Sequence, residues 1–452
     1  MTMHNDMKRH NNIATHVAKA ASLMALAVVM NLPVGAAAQE GLNIPFSQFG
    51  LGSNELYMPF AERMGGAILT SSGNNYINPY NPASYAGIER ESFVFDMGIN
   101  LQLNHLRQGD AHKTNGNGNL GYLAIGLPLT GWWKLGAGLQ PYSTVNYLMY
   151  SSTNGSAQTE YYGTGGVNRI FVGTAFNIPA GKTTKLQIGF NANYLNGTIE
   201  RSISHNFSGN ETSYYIPSRK YKNTRVNNFT FDAGLQMWQQ LSHNMKLGVA
   251  LTYKPYMDLT VTDEALIYTF AADQSLVDTV FPAPGQPSSF KSRMEQAQTV
   301  GAGVSLQMGK HWLIAFDANF ASWSGMKYTE DTAHAIFGTN TSNYGPTSRY
   351  ALGIERIGDM DANTYWGRIG WSLGANIGLD VLRITIDGQD YSLDSWGIGA
   401  GISMPMRKGQ SLLTFSMSYN SIGTAEVLRR DVFTLGIAIS SCERWFVKRK
   451  YN

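Results

Sequence analysis

Residues 92–104 read Ser-Phe-Val-Phe-Asp-Met-Gly-Ile-Asn-Leu-Gln-Leu-Asn, and their alternation decides the fold. Phe93, Phe95, Met97, Ile99, Leu101 and Leu103 occupy one parity, while Val94, Asp96, Gly98, Asn100 and Gln102 occupy the other. Successive side chains of a strand point to opposite faces. The stretch therefore predicts a strand with one continuously apolar face and one face that is mostly polar or glycine. The same split returns in residues 186–194, 229–237, 413–420 and 433–440. In the second of these, Phe229, Phe231, Ala233, Leu235 and Met237 oppose Thr230, Asp232, Gly234 and Gln236.

A soluble sandwich would alternate too, so the connections have to separate the two architectures. Along the chain the pattern predicts about fourteen strands. The gaps after the odd-numbered strands are mostly long, covering residues 107–118, 149–165, 205–223, 263–292 and 326–345. Short gaps follow the even ones, as at 129–131, 178–182, 240–243, 309–310 and 406–408. Tight turns on one side, long loops on the other and an even count mark a membrane barrel. Trp132, Trp133, Trp312, Trp323, Tyr365, Trp366 and Trp396 fall near expected strand ends, as interface girdles require. The predicted fold is all-β: a transmembrane antiparallel β-barrel with Phe95, Ile188, Phe231, Phe415 and Leu435 toward lipid.

Composition agrees. The 452 residues are only 14% charged, against about 25% for a soluble domain, and include 48 Gly, 20 Phe, 24 Tyr and 9 Trp. Lys8, Arg9 and Lys19 precede an apolar run over residues 20–30, and Ala36-Ala37-Ala38 follows, which predicts a signal peptide over residues 1–38. Its removal leaves a net charge of +1, so no nucleic-acid partner is expected. The single Cys442 allows no intramolecular disulfide and no multi-cysteine metal site. Asp359-x-Asp361-x-Asn363 imitates a calcium loop, but Thr364 stands where the turn glycine is needed and Gly370 where the bidentate Glu is needed. With no zinc, phosphate-loop or nucleophile-elbow motif either, the chain is expected to hold no metal, cofactor or catalytic site.

Between signal and barrel, residues 39–90 are too irregular for a domain and too apolar for a free tail. They hold Gly65-Gly66 and the turn-forming Asn78-Pro79-Tyr80-Asn81-Pro82-Ala83, with Pro82 suited to the first position of a short helix. This segment is expected to lie in the lumen as a plug, followed by the barrel at 91–441 and a C-terminal tail at 442–452. An N-terminal plug with Gly-Gly and Asn81-Pro82-Ala83 leading straight into strand one resembles the FadL family of outer-membrane channels. The ending Glu443-Arg444-Trp445-Phe446-Val447-Lys448-Arg449-Lys450 is similar to that of Bacteroidetes members.

The resemblance implies an outer-membrane, fourteen-stranded channel for passive uptake of long-chain fatty acids or aromatic hydrocarbons. It implies as partners a hydrophobic small molecule or lipid, outer-membrane lipids and the barrel-assembly machinery. Relatives that serve type IX secretion or lipopolysaccharide modification supply the alternative, an interaction protein with a secretion-system partner. The family's ligand leaves sideways where a strand kinks inward. The candidate kink here is Gly138, Pro141 and Tyr142, because proline cannot donate to a ladder; Pro255 is the second candidate. The run over residues 265–272, with Phe281, is expected to be an apolar element of the longest loop. Charges of lumen parity, Asp96, Asp232, Asp317, Glu355, Arg368 and Lys254, are expected to tie plug to wall, since a charge away from water needs a partner.

Overall fold

The computed structural model describes residues 58–444, apart from 74, 154–156, 208–215, 272–274, 284, 286, 324–327, 330–343, 387–388 and 407–410. The expected signal peptide, the first part of the expected plug and residues 445–452 of the expected tail lie outside the described residues. Among the described residues eighteen strands form one sheet that closes on itself. The first six are β1 (Ser92–Gln108), β2 (Ala111–Pro128), β3 (Trp133–Thr153), β4 (Ala157–Pro179), β5 (Thr184–Phe207) and β6 (Ser218–Ser242). Next come β7 (Met245–Lys254), β8 (Met257–Phe270), β9 (Leu276–Phe281), β10 (Ser289–Gln296), β11 (Thr299–Met308), β12 (Trp312–Ala321) and β13 (Tyr328–Thr329). The last five are β14 (Thr347–Arg356), β15 (Gly370–Ile386), β16 (Gln389–Pro405), β17 (Ser411–Thr424) and β18 (Leu428–Arg444).

These strands make fourteen staves. β7 and β8 both pair with β6 and form one stave, broken at Pro255 and Tyr256. β10 and β11 together face that stave. β12 and β13 form the next one. β9 is extra, a short edge strand folded back on β8 beyond the wall. All pairings are antiparallel, and β18 closes on β1 from Ser92↔Arg444 to Arg107↔Arg429. The wall therefore continues into the expected tail as far as Arg444.

Exposure follows the parity read from the sequence. On β4, Ile170 and Val172 are exposed between buried Arg169, Phe171 and Gly173. No helix is long and apolar enough to cross a membrane, which says nothing of a barrel. β5 and β6 have 24 and 25 residues, more than twice the roughly 9–11 that a tilted membrane strand needs. The extra length absorbs most of the expected long loops. Residues 107–118 hold one tight turn, and 149–165 are largely strand. The run expected to be a loop at 265–272 is strand as far as Phe270, with Ala265 opposite Lys222 and both Ala265 and Phe270 buried. The expected girdle loses Trp323, which is buried inside the barrel, and keeps a stacked outer cluster of Trp132, Trp133 and Phe176.

Residues 58–88 lie inside the barrel. Among the described residues of this segment the regular pieces are α1 (Pro59–Glu62) and a 3-10 turn (Pro82–Gly87), whose N-cap Asn81 accepts the Ala83 N–H. Irregular backbone is tolerated at membrane depth only where protein surrounds it, and the barrel provides that surround. One apolar cluster joins Met58, Met64, Ile68, Ile77 and Tyr85 of this segment to Tyr122, Phe171, Ala315 and Ala351 of the wall.

Candidate functional site

The interior has three levels: a cavity at the short-turn end, the lumenal segment 58–88, and an apolar belt toward the long-loop end.

Glycines seat the middle level. Gly353, Gly374 and Gly399 stand side by side across β14, β15 and β16. A Cβ on Gly374 would lie 2.1 Å from Met64 C, and one on Gly399 would lie 2.0 Å from Glu62 O. Across the barrel, paired Gly189 and Gly234 receive Pro82 and Asn81 in the same manner. These glycines of the polar parity are thus the floor on which the segment rests. Gly65 and Gly66 answer from the segment, with φ of 61° and 95°. Their positive φ is a region that favours glycine, and a Cβ would meet Ala375 N and the Arg349 guanidinium.

Polar ties fix the segment in register. Asp317 Oδ2 accepts the N–H groups of Ile68 and Leu69 at 2.5 and 2.7 Å. Asp96 accepts Ile77 N–H at 3.2 Å, Tyr122 OH at 2.6 Å and Ser440 OH at 2.7 Å. Arg63 pairs with Glu355 at 2.8 Å and donates to Ser372 at 3.2 Å. Arg349 donates to Gly65 O at 2.7 Å, and Gln236 donates to Thr70 O. Asp232 pairs with Arg169 at 3.0 Å, and Arg169 reaches Pro79 O at 3.4 Å. Inside the segment, Asn81 and Asn78 donate to Leu69 O and Ile68 O at 2.7 and 2.8 Å. Burial pushes the Tyr76 and Tyr85 phenols up, so both stay protonated, and Tyr85 donates to Asn191.

Of the charges named from parity, Asp96, Asp317 and Glu355 touch the segment directly, while Asp232 does so through Arg169. Lys254 sits at the end of β7, beside the break in its stave. Arg368 is a correction. The strand expected to carry it begins only at Gly370, and Arg368 belongs to a short helix, α2 (Tyr365–Arg368), in the turn between β14 and β15. Thr364 caps that helix by accepting Gly367 N–H, a signal that was present in the sequence. Arg169 and Arg349 went unrecognised, although Arg349 shares the parity of Glu355 on β14.

Toward the long-loop end, Val145, Val167, Leu195, Val226, Val261 and Leu393 bring β3, β4, β5, β6, β8 and β16 into one buried apolar cluster. An inward bulge of β15 adds Val381 and Leu382 and bridges to Tyr344. Buried Asp263 stands in the same half. It accepts Thr224 OH at 2.6 Å and the hydroxyls of Ser292 and Tyr328, and it pairs with Lys222 at 3.5 Å.

The wall is open beside this belt. β2 and β3 pair only from Pro128↔Lys134 to Leu123↔Leu139. Beyond that point β2 stays with β1 as far as Ala111, and β3 stays with β4 as far as Thr153. Both lips begin at irregularities: the β1–β2 ladder skips Gly121, and the β3–β4 ladder skips Tyr142. In the β2–β3 register Gly121 would face Pro141, which has no N–H to offer. Tyr142 packs against the apolar belt. Gly138 lies just below the split, where a Cβ would meet Leu123 O and the Phe171 ring; it marks a close approach of strands rather than the opening.

No curated protein matches this sequence. Solved structures do. The barrel is similar to the Pseudomonas putida toluene transporter TodX, with a TM-score of 0.52 and 13% identity over 88% of this chain and 100% of that one. It is similar to the Ralstonia pickettii toluene transporter TbuX, with a TM-score of 0.51 and 14% identity over 88% and 99%. It is likewise similar to the CymD monoaromatic hydrocarbon channel, with a TM-score of 0.51 and 13% identity over 88% and 99%. At such identities the likeness is one of fold, and it places the chain in the architecture expected of a FadL-type barrel. Sequence speaks through a family model described as BamG, which matches residues 21–452; the chain belongs to the BamG family.

Proposed function

We propose that this protein is an outer-membrane channel for hydrophobic small molecules, in the class of long-chain fatty acids or aromatic hydrocarbons. The observation that carries the reading is the junction of the apolar belt with the unpaired β2–β3 seam, through Tyr142, Val145 and Tyr147 of β3. A ligand entering at the long-loop end would exchange water for that belt, gaining about 25 cal/mol per Å² of apolar surface buried. Residues 58–88 would block its axial path as a plug, built on Gly65, Gly66, Asn81, Pro82 and Ala83. The open seam at Pro141 and Tyr142 would release it sideways into the membrane. TodX, TbuX and CymD, described as hydrocarbon transporters and channels, support the reading through shared architecture. The test is uptake of a labelled long-chain carboxylate and of a monoaromatic probe into vesicles holding the purified barrel. Uptake no faster than in empty vesicles for both probes would end the channel reading.

A second reading has one specific support, the family's name, which points to a barrel-assembly context. On it the barrel is an interaction component whose filled lumen serves as a rigid scaffold. Gentle membrane extraction separates the two: a stoichiometric protein partner, together with no uptake, favours the scaffold.

A further inference from the structure

Beneath the lumenal segment, at the short-turn end, the barrel encloses an open cavity of about 780 Å³, within the range of ligand-binding pockets. Its charge is one-sided. Lys182 stands on the β4–β5 turn, Lys185 and Lys246 are the second residues of β5 and β7, and Arg368 stands on the turn after β14. Among the described residues none of the four makes an ion pair, and the one acid of the lining, Glu355, is already held by Arg63. Apolar side chains share the lining: Phe60, Leu313, Ile357, Leu412 and Trp238. Phe60 is braced there by the Tyr76 ring at 4.1 Å and the Arg63 guanidinium at 4.3 Å.

We infer that this cavity is a docking site for an acidic segment of a periplasmic protein that carries apolar side chains among its carboxylates. The inference rests on the outer-membrane placement proposed above, not on transport. Charge complementarity selects the occupant. The cations are not gathered at one point: β5 and β15 are separated by five staves, so Arg368 lies across the mouth from Lys182 and Lys185. A single carboxylate or phosphate answers one or two of them, whereas an extended chain with several carboxylates answers all and lays its apolar side chains on Phe60, Leu313, Ile357 and Leu412. Acidic motifs are commonly read by such basic clusters. The turns at 180–183, 243–244 and 309–311 are tight, and the longer turn at 357–369 carries Arg368.

The test uses the purified full chain in detergent with a labelled peptide of alternating acidic and aromatic residues. Comparison probes are its counterpart with Lys for each acid, and octanoate. The acidic peptide should bind and weaken as salt is raised, because the rim charges are solvent-exposed. Lys182→Glu with Lys185→Glu and Lys246→Glu should weaken it about tenfold or more, and the three Lys→Gln changes by less. These lysines are exposed, so heat-modifiable migration should report folded variants. No binding, or equal binding to the charge-reversed variant, overturns the inference. So does octanoate binding with the same lysine dependence when the peptide does not bind, which would make the site one for small amphiphiles. Binding only after removal of residues 39–57 overturns it too, since the cavity would then belong to the chain's own N-terminal part. Uptake plays no role in these readouts, so the two proposals fail separately.

Discussion

At the scale of single residues, the interior is governed by what cannot be left alone there. Arg63 and Glu355 have side chains only 2% and 12% exposed and are 2.8 Å apart. Arg63→Ala would leave a carboxylate half-stranded beside the segment and should cost about 3–5 kcal/mol, as broken buried pairs do. Arg63→Met combined with Glu355→Gln should cost less, and denaturant unfolding of the refolded barrel distinguishes the two. Gly399→Val tests the seats. Its Cβ would fall on Glu62 O, a backbone atom that cannot step aside without moving α1. The expected result is rapid protease cleavage within residues 58–88 of a barrel that still migrates as folded, against a resistant parent.

At the scale of elements, the seam opens where Pro141 has no donor to offer and both lips carry an irregularity, at Gly121 and Tyr142. Pro141→Val restores an N–H and a strong strand former where the β2–β3 ladder stops. Pairing should extend past Leu123↔Leu139, with thermal stability level or raised and uptake of hydrophobic probes lowered. Unchanged uptake in a folded Pro141→Val barrel would remove the seam from the transport path. Gly138→Val is no substitute, because Phe171 and Leu123 fill the space. Much of this layout was legible in the sequence. Period-two runs such as 92–104 gave parity, the even stave count and lumenal Asp96, Asp232 and Asp317. What alternation could not show was where a strand stops being membrane wall and becomes exposed rim, since both alternate. That is why residues 265–270 read as loop and prove to be β8. Arg368 misled for a related reason: Tyr365 and Trp366 suit a strand or a girdle, and only the cap at Thr364 separates helix from strand there. Arg63 could not be placed at all, because its partner Glu355 is 292 positions away and nothing local joins them.

At the scale of the whole molecule, the tall barrel meets two solvents, and equal exposure means different things along its height. Val172 on β4 is 60% exposed and Val280 on β9 is 58% exposed. Val172 sits outward among Ile170, Ala137 and Ala192, midway along the part of the wall nearest the short turns. Val280 lies on the edge strand that folds back on β8 beyond the closed wall. A soluble all-β protein would treat the two valines alike. In a bilayer, Val172→Arg should cost about 2–4 kcal/mol, the penalty for a cation near the midplane of a barrel's lipid face. Val280→Arg should stay within about 0.5 kcal/mol, as for any surface change in water. Folding titrations of the two variants into lipid vesicles give the comparison. Equal costs would deny that the apolar face is a membrane face and would overturn the outer-membrane placement.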